Sequence, residues 1–241
     1  MVACIEYIVF FLLGISFGSF ICCVVYRLPR NIDIILTRSF CPTCKQKLKP
    51  FDLFPLISYL FLHGACRYCK TKIPIIYPIM EFTVGLIFIL LYYKFSLSYK
   101  FLLIITLAVC LLVAALIDIE FYIIPNSMQI VLLFIGLMYS SYYSIFQYLL
   151  SAFMLFFISM TLRFLLTAAL NKEALGWGDI KFFFTSGLFI EPNSIPIFLM
   201  LSGIFGITTA IMWRITYKKE TFPFIPSLSA ALFTIILHKI Y

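Results

Sequence analysis

The chain has 241 residues, of which 63% are hydrophobic and only 12% charged, and its mean hydropathy is +1.09. Soluble domains carry about twice that share of charge, so the composition excludes a water-soluble enzyme or binding module and points to a polytopic membrane protein. The net charge of +8 would suggest nucleic acid in a soluble chain; here basic residues flanking membrane spans account for it, and no nucleic-acid partner is expected.

The first apolar run, 6–25, has the length of a bilayer span. It lacks an Ala-x-Ala-like cleavage site, so it reads as a retained helix rather than a signal peptide. A polar segment follows. It holds Cys41-Pro-Thr-Cys44 and Cys66-Arg-Tyr-Cys69, two C-x-x-C knuckles separated by 21 residues. That is the spacing of a Cys4 zinc site. Four protein ligands leave no open position for water, so such a zinc is structural. Paired disulfides or redox dithiols are the other reading, which a reducing cytoplasm disfavours. Cys4, Cys22, Cys23 and Cys110 lie in apolar runs and read as packing residues. Between the knuckles, Phe51–Gly64 is apolar but contains Asp52 and Pro55. It is too short to span comfortably, and a crossing there would put the two knuckles on opposite sides.

Further runs at 75–93, 101–117, 127–146, 147–170, 180–190, 195–213 and 222–238 bring the expected count to about eight spans. Residues 126–170 would measure roughly 67 Å as one helix, too long for one crossing. The polar patch Ser140-Ser-Tyr-Tyr-Ser144 is the expected turn. The run 180–190 is short, so it either extends back into Gly176–Asp179 or is re-entrant. The fold class is therefore all-α: a membrane helical bundle with a zinc-knuckle loop inserted between spans one and two.

Charge sets the orientation. Nine of the 18 basic residues lie between the first and second spans, against Asp33 and Asp52 alone. That loop is expected on the cytoplasmic side. Two spans separate it from Asp118, and two more separate Asp118 from Asp179. Even counts put the loop and both aspartates on one face, the face that also receives Arg214, Lys218 and Lys219.

Asp118 and Asp179 are the candidate catalytic residues. Each abuts a long apolar run in a chain with only ten acidic residues, and a carboxylate at a bilayer edge is costly enough to call for a reason. Taken singly, each has an ordinary explanation. Asp179 reads as a helix N-cap with Ile180 opening the helix, and Asp118, with Glu120, simply ends a span. On a shared face they can do more. Two neighbouring carboxylates share a proton, so one accepts a proton from water while the other donates to a scissile carbonyl. Gly176 and Gly178 permit close backbone approach beside Asp179. Pro125 and Asn126 break the helix after Asp118 and leave room for an extended substrate. The alternatives are a proton-coupled transporter using intramembrane carboxylates, or a membrane-anchored zinc module with both aspartates incidental.

Several segments in order resemble the type IV prepilin peptidases, bifunctional leader peptidases and N-methyltransferases of the GxGD-type aspartic proteases. They are GSFICCVVYRLP (18–29), CPTC…CRYC, Asp52-Leu-Phe-Pro-Leu-Ile-Ser-Tyr59, Tyr77-Pro-Ile-Met-Glu81, Ile117-Asp118…Ile124-Pro-Asn126, Gly176-Trp-Gly-Asp-Ile-Lys181 and Pro223-Phe-Ile-Pro226. The resemblance implies that Asp118 and Asp179 are the catalytic pair. It implies that Cys41, Cys44, Cys66 and Cys69 bind zinc in the cytoplasmic, methyltransferase-associated loop. The expected substrates are prepilins or pseudopilins with a short basic leader, cut after a glycine at the cytoplasmic face of a bacterial inner membrane. The new N-terminal residue would then be methylated with S-adenosylmethionine as donor. No Gly-x-Gly-x-x-Gly pattern marks a pocket for that donor. The expected organisation is a first transmembrane helix over 1–26, the Cys4 loop over 27–74 and the peptidase bundle over 75–241.

Overall fold

A computed structural model describes residues 2–171, 175–219 and 221–238. Among them the chain forms α1 (Val2–Arg27), α2 (Ile57–Phe61), α3 (Ile76–Phe95), α4 (Tyr99–Phe121), α5 (Asn126–Tyr143), α6 (Ile145–Leu170), α7 (Trp177–Gly187), α8 (Ile195–Tyr217) and α9 (Ile225–His238). No strand forms among the described residues beyond two isolated bridges. Helices satisfy every backbone group within one segment, which lipid demands of apolar sequence like this. Five of the helical stretches are long and apolar enough to cross a membrane: Cys4–Arg30, Ile76–Phe95, Tyr99–Phe121, Ile145–Ala169 and Pro192–Tyr217. The protein is a multi-pass, all-α membrane protein.

The expected turn in 126–170 is a single residue. Ser144 takes an extended conformation, with φ −157° and ψ 93°, between the end of α5 and the start of α6. The helix of the short apolar run at 180–190 extends back to the Gly176–Asp179 segment but stays only 11 residues long. It opens at Trp177, with Gly176 as N-cap, and closes at Gly187. Phe51–Gly64 does not form a crossing helix. It folds as a 3-10 turn, Pro50–Leu53, followed by the five-residue α2.

The chain packs as two compact units, Met1–Ile105 and Thr106–Tyr241. In the first, α1 lies against α3. Gly14 and Gly18, four residues apart on one face of α1, make that approach possible. A Cβ on Gly18 would lie 2.6 Å from the Glu81 Cα, and one on Gly14 would lie 2.7 Å from the Gly85 Cα. Small residues at this spacing let helix backbones approach within a bilayer, where packing rather than water exclusion drives association.

The segment after α1 wraps around Arg27, which is buried. Its guanidinium donates to the carbonyls of Asp33 (3.1 Å), Ile34 (3.3 Å), Thr37 (2.7 Å) and Arg38 (3.3 Å). Five fixed donors allow one arginine to hold a loop in this way. Farther on, Glu81 of α3 accepts the Leu56 N–H at 2.7 Å. The loop is thus tied to both helices of its own unit.

In the second unit α6 packs on α7, α8 on α9, and α5 on both α6 and α7. Phe182, Phe189, Phe198, Leu155 and Ile236 are fully buried there. The end of α4 joins this core. Tyr122, at φ 57°, terminates the helix and accepts a hydrogen bond from the Trp213 indole at 2.8 Å.

Candidate active site and candidate metal centre

Asp118 sits in the last turn of α4, buried, between the fully buried Ile117 and the exposed Ile119. A helix C-terminus carries partial negative charge, so a carboxylate there is disfavoured by its own helix. A second helix compensates. The Ile225 N–H, at the first residue of α9, donates to Asp118 Oδ2 at 3.0 Å. Asp118 thereby caps the N-terminus of α9, where a negative charge is favourable. It is not the simple span-ending residue that Glu120 resembles.

Asp179 occupies the third helical position of α7 rather than its N-cap. Its Oδ2 accepts the Gly176 N–H at 3.0 Å, the reach-back half of a capping box. Gly176 takes the extended conformation usual for an N-cap (φ −72°, ψ 155°). Ile180, the next residue, is fully buried. The ends of α4, α7 and α9 place the two aspartates near enough for the charge of Asp179 to be felt at Asp118, behind the larger effect of burial there. Of the sequence-derived candidates in this unit, both are therefore in one place.

Two further side chains stand beside them. Gln129, buried in α5, donates from Nε2 to the Gly178 carbonyl at 3.1 Å. It pins the residue immediately before Asp179. Lys181 donates from Nζ to Asn126 Oδ1 at 2.9 Å, tying the start of α7 to the start of α5. Gln129 and the Ile225 N–H were not foreseen. The available signals were an isolated amide in an apolar helix and a Pro226 that marks a helix start.

The metal candidates lie in the first unit. Cys41, Cys44, Cys66 and Cys69 place their sulfurs within 4.8 Å of one another, and Cys41 Sγ lies 3.8 Å from Cys69 Sγ. Tetrahedral zinc with bonds of about 2.3 Å sets its sulfurs about 3.8 Å apart, so the four thiols fit the ion. All four are free cysteines, against the disulfide reading. The knuckles repeat one backbone design. Cys41 N–H donates to Gln46 O and Lys45 N–H to Cys41 O, both at 2.9 Å. Cys66 N–H donates to Thr71 O at 2.9 Å and Lys70 N–H to Cys66 O at 3.0 Å. Lys45 and Lys70 close the two turns in the left-handed region, at φ 61° and 59°.

The thiols cannot all ionise together without a cation. The Thr71 hydroxyl and N–H pull Cys69 down to about 6. At Cys44 the Gln46 N–H favours the thiolate, yet burial and the three other sulfurs push it up to about 11. A divalent cation removes that conflict. Between the knuckles, Asp52 Oδ1 accepts Arg67 Nε at 2.8 Å and lies 2.7 Å from its Nη2, while Oδ2 accepts the Lys49 N–H at 3.1 Å. The segment joining the knuckles is thus anchored to the second of them.

An all-α membrane protein with a tetracysteine module and paired, helix-capping carboxylates is the class that this fold and these sites define. The comparisons give the family. The bacterial peptidase A24 N-terminal domain matches residues 12–95, and the type IV leader peptidase family matches residues 105–211. The prepilin leader peptidase/N-methyltransferase of Klebsiella pneumoniae is 30% identical over 80% of this chain and 89% of its own length. That of Vibrio cholerae is 29% identical over 88% of each chain. The type 4 prepilin-like proteins leader peptide-processing enzyme of Escherichia coli is 29% identical over 95% of this chain and 93% of its own. No solved structure gives a significant match. The chain belongs to the type IV leader peptidase family, and it is a peptidase.

Proposed function

We propose that this chain removes the basic leader of type IV prepilins or pseudopilins by aspartic-protease chemistry, with Asp118 and Asp179 as the catalytic pair. The observation that supports the reading is their convergence: the charge of the half-buried Asp179 on α7 is felt at the buried Asp118 at the end of α4, and each carboxylate accepts an N–H at a helix N-terminus. The positive-inside rule supports a site facing the cytoplasm of a bacterial inner membrane.

In the reaction, one carboxylate takes a proton from water as the water oxygen bonds to the scissile carbonyl carbon. The other, protonated, gives its proton to the carbonyl oxygen. The tetrahedral diol collapses, the C–N bond breaks, and the departing nitrogen takes up a proton to leave as an amine. The roles belong to the pair rather than to either residue. The Ile225 and Gly176 N–H groups orient the two carboxylates by holding Oδ2 of each.

Cys41, Cys44, Cys66 and Cys69 would hold a structural zinc that organises the loop, with no direct part in the hydrolysis. The names of the relatives support a second activity, N-methylation of the new N-terminal residue with S-adenosylmethionine as methyl donor. No residue is assigned to that donor.

The test is cleavage of a co-expressed prepilin in membranes, with the mass of the processed N-terminus as readout. Wild type is expected to yield a shortened, methylated product, and Asp118→Asn and Asp179→Asn none. Processing at the normal rate by either variant overturns the pair. Ion flux in liposomes without any prepilin cleavage would instead favour a proton-coupled transporter.

A further inference from the structure

A groove between α5, α6 and α7, with a volume of about 510 Å³, opens beside the Asp179 segment. Its walls are apolar, built from Ile130, Leu133, Phe153, Phe156 and Phe184. Ile130 is 66% exposed and Phe153 51%, so in a bilayer the groove is open to lipid and a membrane-borne chain can enter sideways. Lys181, with Asn126, lines the same groove and is the charged group among its described lining residues. Gln129 also lines it. Its Nε2 is committed to Gly178, while its Oε1 is buried with no hydrogen-bond partner. An acceptor left buried and unpaired is destabilising, and an extended main chain brings N–H donors that can meet it.

We infer that this groove is the subsite for the apolar stretch of substrate that follows the scissile bond. Lys181 sets the register by keeping the basic leader out. The inference rests on the prepilin reading above. Given a cut between a basic leader and an apolar, membrane-borne segment, the two sides of the scissile bond differ sharply in charge. A groove with aromatic walls stabilises the apolar side through burial. The Lys181 ammonium, exposed and held by Asn126, repels the basic side. The tie between Gln129 and Gly178 fixes the distance from this groove to Asp179, so seating the apolar stretch also places the bond to be cut.

Charge complementation tests this. Prepilin in detergent is prepared with a single lysine at each of the first six positions after the cut, and separately with an added lysine in the leader. Relative kcat/KM is measured with wild type, Lys181→Met and Lys181→Glu. Each penalty is a ratio taken within one enzyme preparation, so a lower folded fraction cancels. Wild type is expected to lose about tenfold or more at one or more positions after the cut. Lys181→Glu is expected to recover most of that loss and Lys181→Met part of it, while the added leader lysine, tolerated by wild type, is expected to lower kcat/KM in Lys181→Glu because the leader is then drawn towards the groove. Equal penalties in all three enzymes overturn the inference while leaving the peptidase reading intact. A wild type that does not cleave the parent prepilin overturns both. If Lys181→Glu alters only the retention of anionic phospholipid, the groove is a lipid site and the inference also fails.

Discussion

Ile225 donates its backbone N–H to Asp118 Oδ2 at 3.0 Å, joining residues 107 positions apart. The bond gives Asp118 a capping duty at α9 that is separable from the proton handling proposed for it above. Asparagine can do the first and not the second, because its Oδ1 still accepts while the amide neither gains nor releases a proton near neutral pH. Asp118→Asn is expected to stay folded and to lose cleavage by ~100-fold or more. Asp118→Ala loses the cap as well, worth about 1 kcal/mol. Melting temperature in detergent beside the cleavage rate separates the two. An Asn variant that cleaves normally would sink the catalytic role, and an Ala variant that melts like the Asn variant would sink the capping role.

The sequence carried the helices well because long apolar runs admit little else in a bilayer, and the break near Ser144 was visible as a polar patch. It carried the cysteine cluster because a C-x-x-C pair has a fixed local geometry. What it could not carry was contact across the chain. Nothing in the residues around Asp118 says that the start of α9 will supply its hydrogen bond. Nothing around Gly178 says that Gln129 will hold its carbonyl. The position of Asp179 shifted for a local reason. The helix starts at Trp177 with Gly176 as N-cap, and Asp179, three residues on, reaches back to the Gly176 N–H.

The four sulfurs are spaced for one tetrahedral ion. Purified protein is expected to contain about one zinc per chain, lost on strong chelation and absent from Cys41→Ser and Cys66→Ser. Metal analysis by mass spectrometry checks this. Unchanged metal in both serine variants would exclude the tetrathiolate.

The Asp52–Arg67 pair gives a pH signature. Burial acts to raise the Asp52 carboxyl, but the Arg67 hydrogen bond, the Lys49 N–H and the Arg67 charge outweigh it and hold the group below the usual carboxylate range. A depressed folded value means that the stabilisation is fully present above the unfolded value, about 4, and is lost as pH falls through the folded one. Wild type is therefore expected to melt above Asp52→Asn at pH 7 and pH 5, with the gap closing below about pH 4. Both proteins carry the same cysteines, so acid loss of metal affects them alike. A gap that persists or widens in acid would show that the pair contributes nothing through charge.

Gly18 tests how the first unit is held. A Cβ there would sit 2.6 Å from the Glu81 Cα, against backbone that cannot rotate away. Gly18→Ala must push α1 and α3 apart, which should cost about 1–3 kcal/mol, the usual cost of overpacking. The consequence reaches the metal loop, because Glu81 holds the Leu56 N–H at 2.7 Å and moves with its helix. Gly18→Ala is expected to lower the melting temperature and to speed loss of zinc to a chelator. Ser16→Ala, on the exposed face of α1, should do neither. If Gly18→Ala melts and holds metal like Ser16→Ala, then α1 and α3 do not depend on this close approach, and the loop is anchored by Arg27 and the cysteines alone.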